Sequence, residues 1–289
     1  MNKDRFFFFG FGQTARYLIK NLEQSKKKFT FSATNTKKTI IKTYGKKRFL
    51  SFKFKDKLYD KKLIKILSEA DYILVSIPPQ KKRDLVLKIF SKFLKKSKFK
   101  KLIYLSATSV YGNHNGKWVN ENSKLRGNTK FGLGRKIVEK SWIKFRDLYK
   151  LDINILRVSG IYSKESNVLK KISKKSIYVK EKKYFSRIRI EDLAQIIKKT
   201  FYSQQSFLLL NASDDKPATN IEVANFAAKL LKIKNLKPIP ISNFKNKMIK
   251  EFYIDSKKVS NKKMKNKLLI KLKYPTYKEG LRNIFNNSR

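Results

Sequence analysis

Phe6 to Phe9 form an unbroken apolar run that stops at Gly10 and passes through Gly12 into Ala15, Leu18, Ile19 and Leu22. An apolar run without alternation reads as a strand buried on both faces, the kind found in parallel sheets covered by helices. The i, i+3, i+4, i+7 spacing that follows is one apolar stripe of an amphipathic helix. The opening of the chain is therefore a strand, a glycine turn and a helix.

The alternation continues. Phe29 to Ala33 reads as a second strand and the more polar Phe49 to Phe54 as a third. Asp60 suits the cap of a helix carrying Leu63, Ile64 and Leu67. Tyr72 to Ile77 reads as a fourth strand, stopped by Pro78-Pro79, and a Lys-rich helix follows with Leu85, Ile89 and Phe93 inward. Leu102 to Leu105 is a fifth strand, Leu133 to Leu148 a long helix and Ile153 to Val158 a sixth strand. Such repetition points to an α/β fold with a Rossmann-type, doubly wound parallel sheet. The last third is less regular. Asp192 opens a helix with Leu193, Ile196 and Ile197, and Phe207 to Leu210 is a strand. Asn220 caps a helix with Val223, Phe226, Ala227 and Leu230, Pro238 and Pro240 interrupt the chain, and a closing helix runs through Leu281 and Phe285. Lys257 to Lys273 reads as a solvated helix or loop. The expected organisation is a Rossmann domain over residues 1–160 and a smaller C-terminal α/β lobe over 161–289, interleaved in the fold.

Composition narrows the chemistry. The 289 residues contain no Cys and one His, His114. Disulfides, thiolate metal sites and Cys nucleophiles are excluded, as is a multi-His metal centre. Seventy-one Lys and Arg against twenty-one Asp and Glu give a formal charge of +50, the footprint of a polyanion binder. Only twelve of those cations are Arg, the residue that base readout and bidentate phosphate recognition favour. The Lys excess is spread over nearly every helix and loop, beside abundant Asn, Ile, Phe and Tyr, all with A/T-rich codons. It reads as composition bias over a solvated surface, with no specific nucleic-acid partner. No window approaches the roughly 18 uncharged residues of a membrane span, and no signal-peptide pattern follows Phe9. The expectation is a cytoplasmic protein without a membrane partner.

Gly10-Phe11-Gly12-Gln13-Thr14-Ala15 fits G-x-G-x-x-A between a strand and a helix, the context in which that motif marks dinucleotide binding. Gly10 permits the tight turn, Gly12 lets a pyrophosphate reach the backbone, and N–H groups at Gln13 and Thr14 open the helix toward it. An acid ending the second strand would bind the ribose 2′-hydroxyl of NAD. Thr34-Asn35-Thr36-Lys37-Lys38 holds none. Thr34, Asn35 and Lys37 are cofactor candidates, and NADP is favoured over NAD.

Several segments, in order along nearly the whole chain, resemble extended short-chain dehydrogenases of the NAD-dependent epimerase/dehydratase family. They are Ser106-Ala107-Thr108-Ser109-Val110-Tyr111-Gly112, Leu156-Arg157-Val158-Ser159-Gly160-Ile161-Tyr162, Phe185 to Ala194, and Asn211-Ala212-Ser213-Asp214-Asp215-Lys216-Pro217. Val259-Ser260-Asn261-Lys262 and Tyr274-Pro275-Thr276-Tyr277 resemble the tail of an atypical bacterial subgroup. The resemblance implies a nicotinamide cofactor covered by Ser76, Ile77 and Pro78, with Ser106 and Arg135 beside it. It implies a small-molecule substrate such as a nucleotide sugar, and a homodimer paired through helices. The family's proton carrier is a Tyr four residues before a Lys. Phe131-Gly132-Leu133-Gly134-Arg135 stands there instead, and the supporting Ser falls on Ala107 or, one residue on, Thr108. Tyr111 and Thr108 are the candidate catalytic hydroxyls; His114, Arg187 and Arg189 are candidate substrate contacts. Asp192 reads as a helix N-cap. Two functions follow: an atypical oxidoreductase or epimerase, and a non-catalytic dinucleotide-binding sensor or scaffold that has lost the Tyr/Lys pair.

Overall fold

Phe6, Phe7, Phe8 and Phe9 are all buried, so the first strand is covered on both faces. In the computed structural model, residues 3–25, 27–175, 177–179, 181–234, 236–243, 250–251 and 253–287 are described. The elements run β1 (Asp4–Phe9), α1 (Gln13–Glu23), β2 (Phe29–Asn35), β3 (Ile40–Tyr44), β4 (Lys47–Lys55), β5 (Leu58–Tyr59), α2 (Lys62–Ser68), β6 (Tyr72–Val75), α3 (Leu85–Leu94) and β7 (Lys101–Ala107). Next come β8 (Trp118–Val119), α4 (Lys130–Tyr149), β9 (Ile153–Val158), β10 (Gly160–Tyr162), α5 (Val168–Lys175), β11 (Ile177–Val179), β12 (Tyr184–Phe185), β13 (Arg187–Arg189) and α6 (Ile190–Phe201). The chain ends with β14 (Leu209–Ala212), β15 (Ala218–Thr219), α7 (Asn220–Leu231), β16 (Lys237–Ile239), β17 (Lys258–Val259), α8 (Lys262–Leu268) and α9 (Tyr277–Asn286).

The main sheet has the order β14-β9-β7-β6-β1-β2-β4-β3, with β5 paired to β4. β1 pairs in parallel with β2 and β6, β6 with β7, and β2 with β4, which is the doubly wound arrangement expected. Alternate side chains of β1 serve opposite faces. Phe7 and Phe9 join a core with Phe52, Phe90, Tyr104 and Trp142. Phe6 packs on Tyr72 and Phe201, with centroids 5.0 and 5.6 Å away.

The residues fall into two compact units. One comprises 1–106, 134–156 and 194–209; the other comprises 107–133, 157–193 and 210–289. The chain crosses from one to the other within β7, α4, β9, α6 and β14. The second unit has its own core, in which Tyr162, Ile172, Val223, Ala227, Leu281 and Ile284 pack together. Its short strands pair as β10 with β13, β11 with β16, β12 with β15 and β8 with β17.

Several local expectations shift. β3 was not anticipated: Ile40 to Thr43 are exposed, and the strand pairs antiparallel with β4 at the sheet's edge, so no burial pattern announces it. The buried stripe of α3 is Val86, Phe90 and Leu94, one residue on from the expected face. Thr219, not Asn220, caps α7 through a capping box with Glu222. Asp192 does not cap its helix; it lies inside α6, and its carboxylate accepts N–H bonds from Lys273 (2.7 Å) and Tyr274 (2.9 Å). Lys257 to Lys273 is not merely solvated, because Met264, Leu268, Ile270 and Leu272 are buried. Among the described residues no helix is long and apolar enough to cross a membrane.

Candidate functional site

In the first unit, β1 lies between β2 and β6, and the carboxyl ends of these three strands meet around one turn. Strand order reverses here, which is where open α/β sheets bind ligands. Gly10 has φ +92°, a conformation that favours glycine. Its N–H donates to Thr34 Oγ1 at 2.9 Å, and a Cβ here would stand 3.0 Å from Ser76 Oγ and 3.4 Å from the Ile77 side chain. Ser76 Oγ in turn donates to the Phe9 carbonyl at 3.0 Å. Thr34 and Ser76 thus hold the glycine turn with their hydroxyls, while Ile77 is half-buried and Pro78 exposed just beyond.

Gly12 occupies the N-cap of α1, and a Cβ there would meet no atom within 4 Å. Protein packing does not demand a glycine at this position; the free space above it does what a phosphate needs. α1 has no side-chain cap and no acid in its first turn, so the N–H groups of Thr14 and Ala15 are not taken up by residue 12. Unsatisfied N–H groups and the helix dipole together favour an anion. The residues present therefore fit a dinucleotide's pyrophosphate.

Beside this turn is a cleft of about 520 Å³ lined by Phe11, Arg16, Thr36, Lys42, Tyr44 and Phe49, together with Thr34 and Asn35. Asn35 is fastened to the scaffold: its Nδ2 donates to the Lys38 carbonyl (2.9 Å) and Ser51 Oγ (2.8 Å), and its Oδ1 accepts the Lys37 N–H (2.8 Å). Its amide shapes the turn that leads out of β2. The exposed Lys37 does not line the cleft. Arg16 and Lys42 do, and neither was singled out from the sequence. Arg16 sits one helical turn beyond Gly12, a spacing that is a usable signal; Lys42 becomes visible only once β3 is known.

A second polar group in this unit surrounds the end of β7. Ser106 is buried and donates to Glu139 Oε2 at 2.8 Å, so its hydroxyl serves α4. Arg135 Nη1 donates to the Leu105 carbonyl at 2.7 Å, which leaves other guanidinium N–H groups for a ligand. Asp84 caps α3 by accepting the Leu87 N–H at 2.8 Å, and burial pushes its carboxyl above the ordinary range.

The second unit holds the remaining candidates. Tyr111 is fully buried, donates to Asn211 Oδ1 at 2.7 Å and accepts from Arg157 Nη1 at 2.9 Å. Burial pushes its phenol up to about 12. The fold engages the hydroxyl as both donor and acceptor, which tells against the proton role expected of Tyr111. Thr108 starts the 3-10 turn Thr108–Tyr111, is half-buried, and its hydroxyl has no partner among the described residues. The two arginines do not form the expected anion clamp. Arg187 donates to the Phe185 and Ala218 carbonyls (both 2.9 Å) and to Asn220 Oδ1 (2.8 Å). Arg189 is 3 % exposed and pairs with Glu191 at 2.6 Å. His114 joins loops: its N–H donates to the Ser256 carbonyl (3.1 Å) and its Nε2 lies 3.1 Å from the Lys124 carbonyl. Phe131, in place of the family's Tyr, is 48 % exposed.

No protein-family model and no curated protein matches the chain. Solved structures do. One is a functionally unknown conserved protein from Silicibacter pomeroyi, 24 % identical with a TM-score of 0.83 over 99 % of this chain and 100 % of that one. Another is UDP-N-acetylglucosamine 4-epimerase from Methanobrevibacter ruminantium in complex with UDP-N-acetylmuramic acid, 16 % identical with a TM-score of 0.78 over 99 % and 97 %. A third is dTDP-glucose 4,6-dehydratase from Bacillus anthracis in complex with NAD, 14 % identical with a TM-score of 0.74 over 99 % and 96 %. With a turn that fits a pyrophosphate at the sheet's switch point, the chain has the fold of the NAD-dependent epimerases and dehydratases.

Proposed function

We propose that the protein binds a nicotinamide dinucleotide and acts as an atypical oxidoreductase or epimerase on a nucleotide sugar. The observation that carries the reading is the glycine turn: Gly10 is required by its φ and by Ser76, whereas the space at Gly12 is left open by the protein itself. The first turn of α1 would hold the pyrophosphate, and Arg135 would offer its remaining N–H groups to a ribose or phosphate. The substrate class is supported by the like-folded epimerase and dehydratase, which act on UDP- and dTDP-linked sugars. NADP is favoured over NAD because no acid ends β2. The protein works in the cytoplasm, as a homodimer.

A nicotinamide held here would supply hydride transfer. The protein's own share is to bind, orient and handle a proton. Of the two candidate hydroxyls, Tyr111 is engaged by Asn211 and Arg157, whereas Thr108 Oγ1 has no partner among the described residues and is the candidate to hold or pass a proton. Titration of NADPH and NADH by fluorescence tests the binding; no binding at millimolar cofactor sinks the proposal. Turnover is tested with UDP- and dTDP-sugars, and Thr108→Ala should abolish it while cofactor affinity holds.

Phe131 also favours a second reading, a non-catalytic dinucleotide-binding module. Tight cofactor binding without turnover on any nucleotide sugar would select it.

A further inference from the structure

We propose that the outward face of the β8–β17 ribbon is a stacking platform for single-stranded nucleic acid, with Trp118 under one base and Lys117 and Lys258 on the flanking phosphates. The platform lies wholly in the second unit and does not depend on the dinucleotide reading. Of the two Trp in the chain, Trp142 is fully buried and Trp118 is 58 % exposed. Lys is so abundant in this chain that a cation alone says little about a partner. Trp has a single, G-rich codon, so the bias that multiplies Lys does not explain an indole left in water. Exposed aromatic rings on a rigid frame are what binding surfaces enrich.

The ribbon holds Trp118 in place. β8 and β17 run parallel, with Trp118 opposite Lys258 and Val119 opposite Val259. Lys258 N–H donates to the Lys117 carbonyl at 3.0 Å, and Ser260 N–H to the Val119 carbonyl at 2.8 Å. Strand side chains alternate, so Val119 and Val259 enter a small core with Val110 and Tyr111 while Trp118 and Lys258 share the other face. Neighbouring strands lie about 4.8 Å apart, so the indole and the ammonium leave the ribbon side by side. Lys258 Nζ stands 4.2 Å over the Tyr184 ring, which fixes that cation. Residues 113–120 and 256–260, which build this face, contain no acid and expose no second large apolar side chain. The adjacent Asp255 pairs with Lys257 at 3.3 Å. A protein partner would need a contiguous apolar core. A nucleic-acid strand needs one ring face per base and cations for its phosphates. Every base has such a face, so the binding is sequence-tolerant, in keeping with the scarcity of Arg. A duplex keeps its bases stacked on one another, which singles out the unpaired strand.

The test uses the full chain without cofactor. A labelled oligo-dT strand is titrated by fluorescence anisotropy at physiological salt, and quenching of Trp118 emission reports contact at the ring. Trp118→Ala should weaken the strand roughly fivefold to a hundredfold, the worth of one stacked base, and Trp118→Phe should keep most of the affinity. Lys258→Ala should lower the salt slope by about 0.7, one phosphate of a single strand. Lys46→Ala, an exposed cation of the first unit, should leave affinity and quenching unchanged. A dA·dT duplex should bind more weakly than the strand and quench little. Equal losses in Trp118→Ala and Lys46→Ala, or a duplex bound as tightly as the strand, mark polycation behaviour and overturn the platform. Quenching by a UDP-sugar that the strand cannot displace assigns Trp118 to a small nucleotide and overturns it too. Unchanged unfolding midpoints of the variants separate these outcomes from misfolding. Failure here leaves the dinucleotide reading standing, because no step uses the glycine turn.

Discussion

The two units use their polar residues in opposite ways. In the first, Gly12 leaves room that protein atoms do not fill, α1 begins without a side-chain cap, and Arg16 and Lys42 line a cleft that holds no carboxylate. In the second, the residues that look most chemical are turned to internal use: Tyr111 to Asn211 and Arg157, Arg187 to three oxygen acceptors, Arg189 to Glu191. Buried donors normally have partners, so the bonds of Tyr111 and Arg187 mark them as scaffolding, whereas Arg189 pairs with Glu191 and leaves its buried Nη1 without a hydrogen-bond partner among the described residues. The informative residues are those whose bonding capacity the protein leaves open.

The largest effect that would sharpen this contrast is expected at Gly12→Val. The backbone there has φ −82° and ψ −166°, which Val adopts, and its Cβ meets no atom within 4 Å. Dinucleotide binding should vanish while unfolding stability stays within about 0.5 kcal/mol of the parent. A large drop in stability, or binding that persists, would break the claim that the space serves a ligand.

Gly280→Ala is the counterpart in the second unit. A Cβ on this α9 glycine would lie 2.0 Å from the Tyr162 hydroxyl and 2.8 Å from its ring, in a core that includes Leu281 and Ile284. Overpacking of this kind costs about 1–3 kcal/mol. Chemical denaturation should show that loss, with nucleotide affinity retained at temperatures where the protein is folded. Tyr111→Phe follows at roughly 1–2 kcal/mol, because Asn211 Oδ1 loses its donor in a buried site. If the variant were as stable as the parent but lost turnover, the structural assignment would be wrong and a proton role restored.

These expectations also mark what was legible in the sequence. The parallel sheet was, because strands buried on both faces carry unbroken apolar runs and α1 carries a regular stripe. Gly10 and Gly12 were, because a strand, a glycine turn and a helix must be contiguous. β3 was not, since an exposed edge strand has no burial pattern to display, and Lys42 was hidden with it. The roles of Tyr111, Arg187 and Ser106 were also out of reach. Each is decided by a partner distant in sequence, Asn211, Ala218 and Glu139 respectively, and residue type alone does not say whether a hydroxyl or guanidinium points at a ligand or at its own fold.

The smallest expected effect is a change of slope, at Asp214. Its carboxyl is 1 % exposed, Oδ1 accepts the Lys216 N–H at 3.2 Å, and Oδ2 has no hydrogen-bond partner among the described residues. Burial pushes its pKa well above the ordinary 3.8, against the pull of the Arg187 charge. Between 3.8 and the raised value, the folded state holds a proton that the unfolded chain has released. Stability from this group therefore falls as pH rises through that window and is constant below it. Arg187 does not lose its footing when Asp214 is neutral, since two carbonyls and Asn220 still accept from it. Asp214→Asn should accordingly remove the downward slope while keeping the Lys216 bond through its own Oδ1. Denaturant unfolding of parent and variant across acid to neutral pH measures the difference directly, because the repulsion among the many surface lysines is common to both and cancels. Parallel curves would show that Asp214 is ionised at little cost, and the second unit would then tolerate an open charge as the first does.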